Sequence, residues 1–350
     1  MANHFEIIFQ QALKGFGKFL HCCLKEWISL NDQRLNYPIR KRLKRHHMKK
    51  IVILSLLICS HMKVNAQQEQ VPLYATTIPN SKPGPNEEKA EVTNGILRYS
   101  KISIPTYTLF LPANPSPKKS AVIIFPGGGY SITASQHEGI DVAKVFNEMG
   151  IAAILIKYRI PSDATMVDKS IGPLQDAQQA MLLTRENASK WGIDPTKIGI
   201  IGFSAGGHLA STLGTHFTNS LVPNAANTSL RPDFMILGYP VISFQDSICH
   251  MGSRNNLIGK TPTKAQIDYY SNELQVTKET PPTFLVHATD DGGVKVENSI
   301  RFYQALVSNK IKTEMHLYQS GGHGFGLNNK TTKDNWMERC KNWLMANGWL

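Results

Sequence analysis

One pentapeptide has the makings of a nucleophile: Gly202-Phe203-Ser204-Ala205-Gly206. On its own a G-x-S-x-G match is weak, because glycine and serine are common. Here it stands between "KIGII", a run of the kind buried in strands, and the small-residue helical stretch "AGGHLASTLGTH". A strand that turns sharply into a helix can hold its serine in a strained, exposed conformation, provided the neighbours are small. Gly202, Ala205, Gly206 and Gly207 are small. The plainer alternative, a tight turn with a capping serine, uses the same residues but not the strand-to-helix context.

A serine hydroxyl needs a base, and the base needs an orienting carboxylate. On such a turn the chain order is Ser, then Asp or Glu, then His. Seven histidines lie beyond residue 66: His137, His208, His216, His250, His287, His316 and His323. His208 falls one turn into the helix after Ser204 and reads as a packed residue. His287 and His316 sit inside strand patterns. His323 stands in "SGGHGFG", a glycine-rich loop after the last strand pattern, and is the candidate base. For the acid, "TFLVHA" runs into Thr289-Asp290-Asp291-Gly292-Gly293. Two adjacent carboxylates cannot both face one imidazole, and Asp291 is preferred over Asp290, which reads as a turn former.

The tetrahedral intermediate of acyl transfer needs donors aimed at its oxygen. "FPGGGY" follows the buried run "SAVII" and assigns Gly127 and Gly128 to that task, with the N–H of Ala205 completing the hole. No Gly-Lys-[Ser/Thr] follows the glycines, so they do not read as a phosphate loop. No H-E-x-x-H or C-x-x-C spacing points to a metal, and no cofactor is expected. Tyr130, His137 and Glu138, just beyond the glycines, are candidates for contact with substrate.

These residues need a scaffold, and the hydropathy pattern supplies one. "SAVIIFP", "IAAILIKYRI", "KIGIIGFS", "DFMILGYPVIS", "PTFLVHA" and "KTEMHLYQS" read as strands, and "ISIPTYTLFLP" as one alternating with period two. Between them "GIDVAKVFNEMG", "PLQDAQQAMLLTRENASKWG", "VENSIRFYQALVSNK" and "TKDNWMERCKNWLMANG" read as helices. Alternating strands and helices predict an α/β fold, with a mostly parallel central sheet covered by helices on both faces. Active sites of such sheets lie beyond the carboxyl ends of the strands. Residues 67–97 are rich in Pro, Asn, Glu and Lys and read as an irregular segment, with the catalytic domain over 98–350. Residues 241–280 lie between two strand patterns and read as a small cap or pocket wall. Tyr269 and Tyr270 within it could face a sugar.

The formal net charge of +12 invites a nucleic-acid partner, but its distribution argues otherwise. Twelve of the 38 Lys and Arg, but only three of the 26 Asp and Glu, lie in residues 1–66. The remaining 284 residues carry a net charge near +3. From Met48 the chain has the parts of a secretory signal: Lys49 and Lys50, the apolar run Ile51–Ser60, and the small-residue site Val64-Asn65-Ala66. Ten apolar residues are too few for a stable membrane anchor, which needs about 20. Cys59 follows Ile58, where a lipoprotein signal wants a small residue. The expectation is a start at Met48, with residues 1–47 an upstream extension, cleavage near Ala66, and a secreted or periplasmic product. Cys249 and Cys340 would remain and read as free thiols, since 284 residues can build a core without a disulfide staple.

Taken with "FPGGGYSITASQHEGIDVAKVFNEMGIAAILIKYRI", "PLQDAQQA", "IGIIGFSAGGHLAS", "PPTFLVHATDDGGVKVENS" and "GGHGFG", the chain resembles the α/β-hydrolase superfamily of esterases and lipases. Within it the resemblance is to bacterial secreted acetylxylan esterase-like carbohydrate esterases, over roughly residues 100–347. The family pattern H-x-x-x-D-x-x-V fits His287, Asp291 and Val294 and supports Asp291 as the acid. Pro126 stands where many relatives have a histidine, and Lys295 where proline commonly follows the valine. The resemblance implies a serine esterase acting on short-chain acetyl esters of a small molecule or polysaccharide. Two other classes share these features: a prolyl-oligopeptidase-type peptidase, and a non-catalytic binding protein on the same fold.

Overall fold

The computed structural model describes residues 69–350, so the expected signal segment and upstream extension lie outside the described residues. Eleven strands can be followed: β1 (Val71–Pro72), β2 (Lys89–Thr93), β3 (Ile96–Ser100), β4 (Thr106–Phe110), β5 (Ala121–Phe125), β6 (Ile132–Thr133), β7 (Ala152–Lys157), β8 (Ile198–Phe203), β9 (Met235–Gly238), β10 (Thr283–Ala288) and β11 (Thr313–Tyr318). Eight of them form one sheet in the order β1-β4-β7-β5-β8-β9-β10-β11. From β7 to β11 neighbours are parallel, and β4 and β1 close one edge antiparallel. This is an α/β-hydrolase fold, as the sequence pattern predicts.

The period of two in the buried strands sorts their side chains between two helical layers. Ile123 and Phe125 of β5 and Ile198 and Ile200 of β8 point to one core. There they meet α2 (Gly172–Glu186), α4 (Ser204–His216) and α7 (Glu297–Ser308). Val122, Ile124, Ile201 and Phe203 point to the other core, against α1 (Asp141–Glu148) and α8 (Trp336–Ala346). Both faces being covered explains why β5, β7, β8 and β10 are buried at every position and mostly apolar rather than alternating.

β5 lies between β7, the next strand of the sheet in the chain, and β8. The chain leaves β5 toward β7 and leaves β8 toward β9, in opposite directions, so the topology opens a crevice between the carboxyl ends of β5 and β8. The loop after β5 and the turn from β8 into α4 line it.

Arg159, just past β7, is buried against Asp176 of α2. Its Nε lies 3.0 Å from each carboxylate oxygen and its backbone N–H donates at 2.8 Å. The pair fastens α2 to the sheet.

Two expectations are corrected. Residues 67–97 are not wholly irregular: β2 and β3 form a hairpin closed by Asn94-Gly95, with φ of +52° and +76°. Asn-Gly between two strand-like runs is the signal for such a two-residue turn. The single helix read over 173–192 is two, with α3 at Ala188–Trp191. Asn187 leaves helical geometry (ψ 4°), and its side-chain amide donates to Leu183 O.

Residues 241–280 fold as α5 (Met251–Ile258), α6 (Lys264–Tyr269) and a 3₁₀ turn (Asn272–Leu274). Cys249 and Cys340 are free thiols. Among the described residues no helix is long and apolar enough to cross a membrane.

Candidate active site

At the end of β8 the backbone passes from extended Phe203 (φ −119°, ψ 138°) to Ser204 with φ +51°, a left-handed conformation costly for any residue but glycine. The turn is tight enough that a Cβ on Gly202 would fall 2.1 Å from Gly206 O. Ser204 is 6% exposed and its hydroxyl donates to His323 Nε2 at 2.8 Å. His323 Nδ1–H in turn donates to Asp291 Oδ2 at 2.7 Å. The structure thus brings together the three side chains that the sequence separates by 119 and 32 residues.

Asp291 is held from every side. Its Oδ1 accepts the Gly293 and Val294 N–H groups at 2.8 Å, and its Oδ2 also accepts from His287 Nε2 at 3.0 Å. Burial alone would raise its pKa. The hydrogen bonds from His287 and His323, the charge of His323 and the Val294 N–H outweigh burial and hold the carboxyl well below the usual range. His287 is fixed by the Ser299 hydroxyl, which donates to its Nδ1 at 2.8 Å. His287 therefore orients the acid rather than the base. Asp290 is exposed and accepts the Gly322 N–H at 2.8 Å, latching the loop that carries His323.

Two backbone N–H groups close to Ser204 in the chain or the fold have no acceptor among the described residues: that of Gly128, next to the Gly127 whose Cβ would fall 2.8 Å from Ser204 Cβ, and that of Ala205 in the first turn of α4. Gly128 has φ +132°, and a Cβ there would lie 2.3 Å from Ile132 O, so only glycine fits the turn. Gly127 is different and corrects the sequence reading. Its N–H, expected to be open to substrate, donates to Glu138 Oε2 at 2.8 Å.

Of the three residues expected to touch substrate, Tyr130 and Glu138 are buried and His137 is partly exposed. Tyr130 is 1% exposed and its hydroxyl donates to His208 Nδ1 at 2.9 Å, because φ +58° folds it under the glycine turn. Glu138 is 3% exposed, carried inward by a π-helical turn over Gln136–Ile140. Its Oε1 accepts from the Tyr239 hydroxyl at 2.8 Å. His137 packs against Gly326, with Nε2 3.6 Å from Glu138 Oε1. The paired tyrosines do not face a sugar together: Tyr270 is buried and donates to Ser170 O, while Tyr269 packs on His216.

His208 is the packed residue its position predicts. It stacks on Phe244 and donates from Nε2 to Tyr270 O at 2.9 Å. Burial lowers its pKa to about 4. Three site neighbours escaped the sequence reading. Tyr239 packs against His323 with ring centroids 5.1 Å apart. Asn256 of α5 donates to Gly129 O at 2.8 Å. His250 caps α5 and lies against Gly129. Burial and the nearby His323 lower the His250 pKa, with Asp291 opposing them. No local pattern marks these residues, although Tyr239-Pro240 directly ending an apolar strand places an aromatic at the reactive edge.

A serine on a strand-to-helix turn, an imidazole and a buried carboxylate on successive later loops, and open N–H groups beside the serine define an α/β-hydrolase of the serine-nucleophile class. The chain belongs to the BD-FAE family, whose model matches residues 108–306. It is 37% identical over 242 residues to an acetylxylan esterase of Xylanibacter ruminicola, spanning 68% of this chain and 47% of that protein. It is 38% identical over 226 residues to endo-1,4-beta-xylanase B of Butyrivibrio fibrisolvens, spanning 64% and 35%. The chain thus spans less than half the length of either. Among solved structures it resembles an acetyl ester-xyloside bifunctional hydrolase of Caldicellulosiruptor lactoaceticus. That match has a TM-score of 0.69 and 34% identity, and covers 81% of this chain and 97% of the other.

Proposed function

We propose that the protein is a secreted serine esterase that removes short acyl groups, above all acetyl, from carbohydrate esters. The observation that carries this reading is the unbroken chain Asp291–His323–Ser204, with contacts of 2.7 and 2.8 Å, beside the open Gly128 and Ala205 N–H groups. Ser204 Oγ attacks the ester carbonyl while His323 Nε2 takes its proton. Asp291 stays ionised and holds the Nδ1–H tautomer. The carbonyl oxygen, becoming an oxyanion, takes the two N–H groups, and the positive end of α4 adds to them. His323 then gives the proton to the departing alcohol. A water, deprotonated by the same imidazole, attacks the acyl-serine and releases the acid.

The acetylxylan esterase and xyloside hydrolase relatives support the acetylated carbohydrate, and the signal-like residues 48–66 support secretion. The test is acetate release from acetylated xylo-oligosaccharides and from p-nitrophenyl acetate. Ser204→Ala is expected to lower both by more than about 10⁴-fold. A Ser204→Ala protein that keeps its rate rejects the mechanism. Turnover of the aryl ester without acetate release from the sugar rejects the carbohydrate assignment.

A further inference from the structure

Glu138 is a buried carboxylate that the mechanism above does not use. Its two oxygens point in different directions: Oε2 takes the Gly127 N–H and Oε1 the Tyr239 hydroxyl, each at 2.8 Å. Tyr239 in turn accepts the Gly326 N–H at 2.8 Å. The result is a relay from the turn carrying the oxyanion donors, through one carboxylate and one phenol, to the loop carrying His323. A Cβ on Gly127 would fall 2.8 Å from Ser204 Cβ, so the relay grips its turn directly over the nucleophile. Tyr239 itself has φ +34°, a strained conformation that its ring and hydroxyl contacts must hold. The two halves of the site come from loops after β5 and β11, on strands that are not neighbours.

We propose that Glu138 is a positioning residue which, through Tyr239, holds the oxyanion turn and the His323 loop at one fixed separation. The inference rests on the esterase reading. Glu138 touches no substrate. By taking the Gly127 N–H it orients the next peptide, so that the Gly128 N–H faces the developing oxyanion. A displacement of about 1 Å at such a group costs about 100-fold in rate. A glutamine presents one acceptor oxygen and one NH₂ group, so Glu138→Gln either turns a donor on the Gly127 N–H or keeps that bond and makes the Tyr239 hydroxyl accept where it now donates.

The test is steady-state hydrolysis of p-nitrophenyl acetate by the wild type, Glu138→Gln, Tyr239→Phe and the double variant, with kcat referred to folded enzyme. Glu138→Gln is expected to lower kcat about 10- to 100-fold, with KM within about threefold. Affinity for a trifluoromethyl ketone, whose adduct carries the oxyanion, falls by a similar factor. Tyr239→Phe keeps the Glu138–Gly127 bond but loses Gly326, and shows a smaller fall. If the two act through one relay, the double variant loses less than the product of the single losses. An unchanged kcat overturns the proposal. So does a rise in KM at constant kcat, which marks a substrate contact. Losses that vanish once folded protein is counted reduce Glu138 to a structural role and also overturn it. Ser204→Ala, assayed alongside, separates the two claims. If it is inactive while Glu138→Gln keeps full rate, the relay fails and the esterase reading stands. If it keeps its rate, the esterase reading itself fails.

Discussion

At the scale of single residues, the buried polar groups Glu138 and His208 each join two or more partners. His208 shows the rule with a consequence for stability. Its Nδ1 accepts from Tyr130, its Nε2–H is given to Tyr270 O, and burial lowers its pKa to about 4 from 6.5. Burial lowers His216 and His250 in the same direction. Between about pH 4 and 6.5 the unfolded chain therefore binds more protons than the folded one, and stability falls as pH falls through that window. The His208 part is complete above about pH 6.5, and its loss approaches about 3 kcal/mol near pH 4. Urea unfolding between pH 4.5 and 7.5 is expected to show this slope in the wild type and a shallower one in His208→Gln. Equal slopes contradict the assignment. Ser204 and His323 were legible from local context; Asp291 was preferred over Asp290 at the end of a strand pattern, and the family resemblance at His287, Asp291 and Val294 supported it. Glu138 was noticed but given a different task. Its partners are 11 and 101 residues away, and only the folded chain puts them in reach.

At the scale of elements, the sequence pattern located every strand of the sheet from β4 onward: burial on both faces leaves mostly apolar runs in the inner strands, and β4 shows the alternation of an edge. It did not reveal what fastens the elements. The Arg159–Asp176 pair joins β7 to α2, and nothing in "IKYRI" or "PLQDAQQA" announces a partner 17 residues away. Asp176→Ala would leave a buried guanidinium without its counter-charge. The expected loss is about 3–5 kcal/mol of unfolding free energy, read from urea midpoints. A shift below about 1 kcal/mol, typical of exposed pairs, contradicts this account of the junction. The β2–β3 hairpin shows the opposite failure. Its Asn94-Gly95 turn was in plain view, but the polar composition around it dominated the reading.

At the scale of the whole molecule, the parallel sheet gathers the loops after β5, β8, β10 and β11 at one edge, and residues 241–280 reach the same edge through Asn256 and His250. A formal charge of +12 says little about this assembly, since its excess lies mostly in residues 1–66. In the proposed reaction Ser204 carries the acyl group covalently between alcohol and water. Rapid-quench mass spectrometry of the protein mixed with p-nitrophenyl acetate tests it most directly. An acetyl group is expected on the peptide containing Ser204, formed in the first turnover and absent from Ser204→Ala. Steady release of p-nitrophenol with no acetyl at Ser204, or with acetyl on another residue, would contradict it.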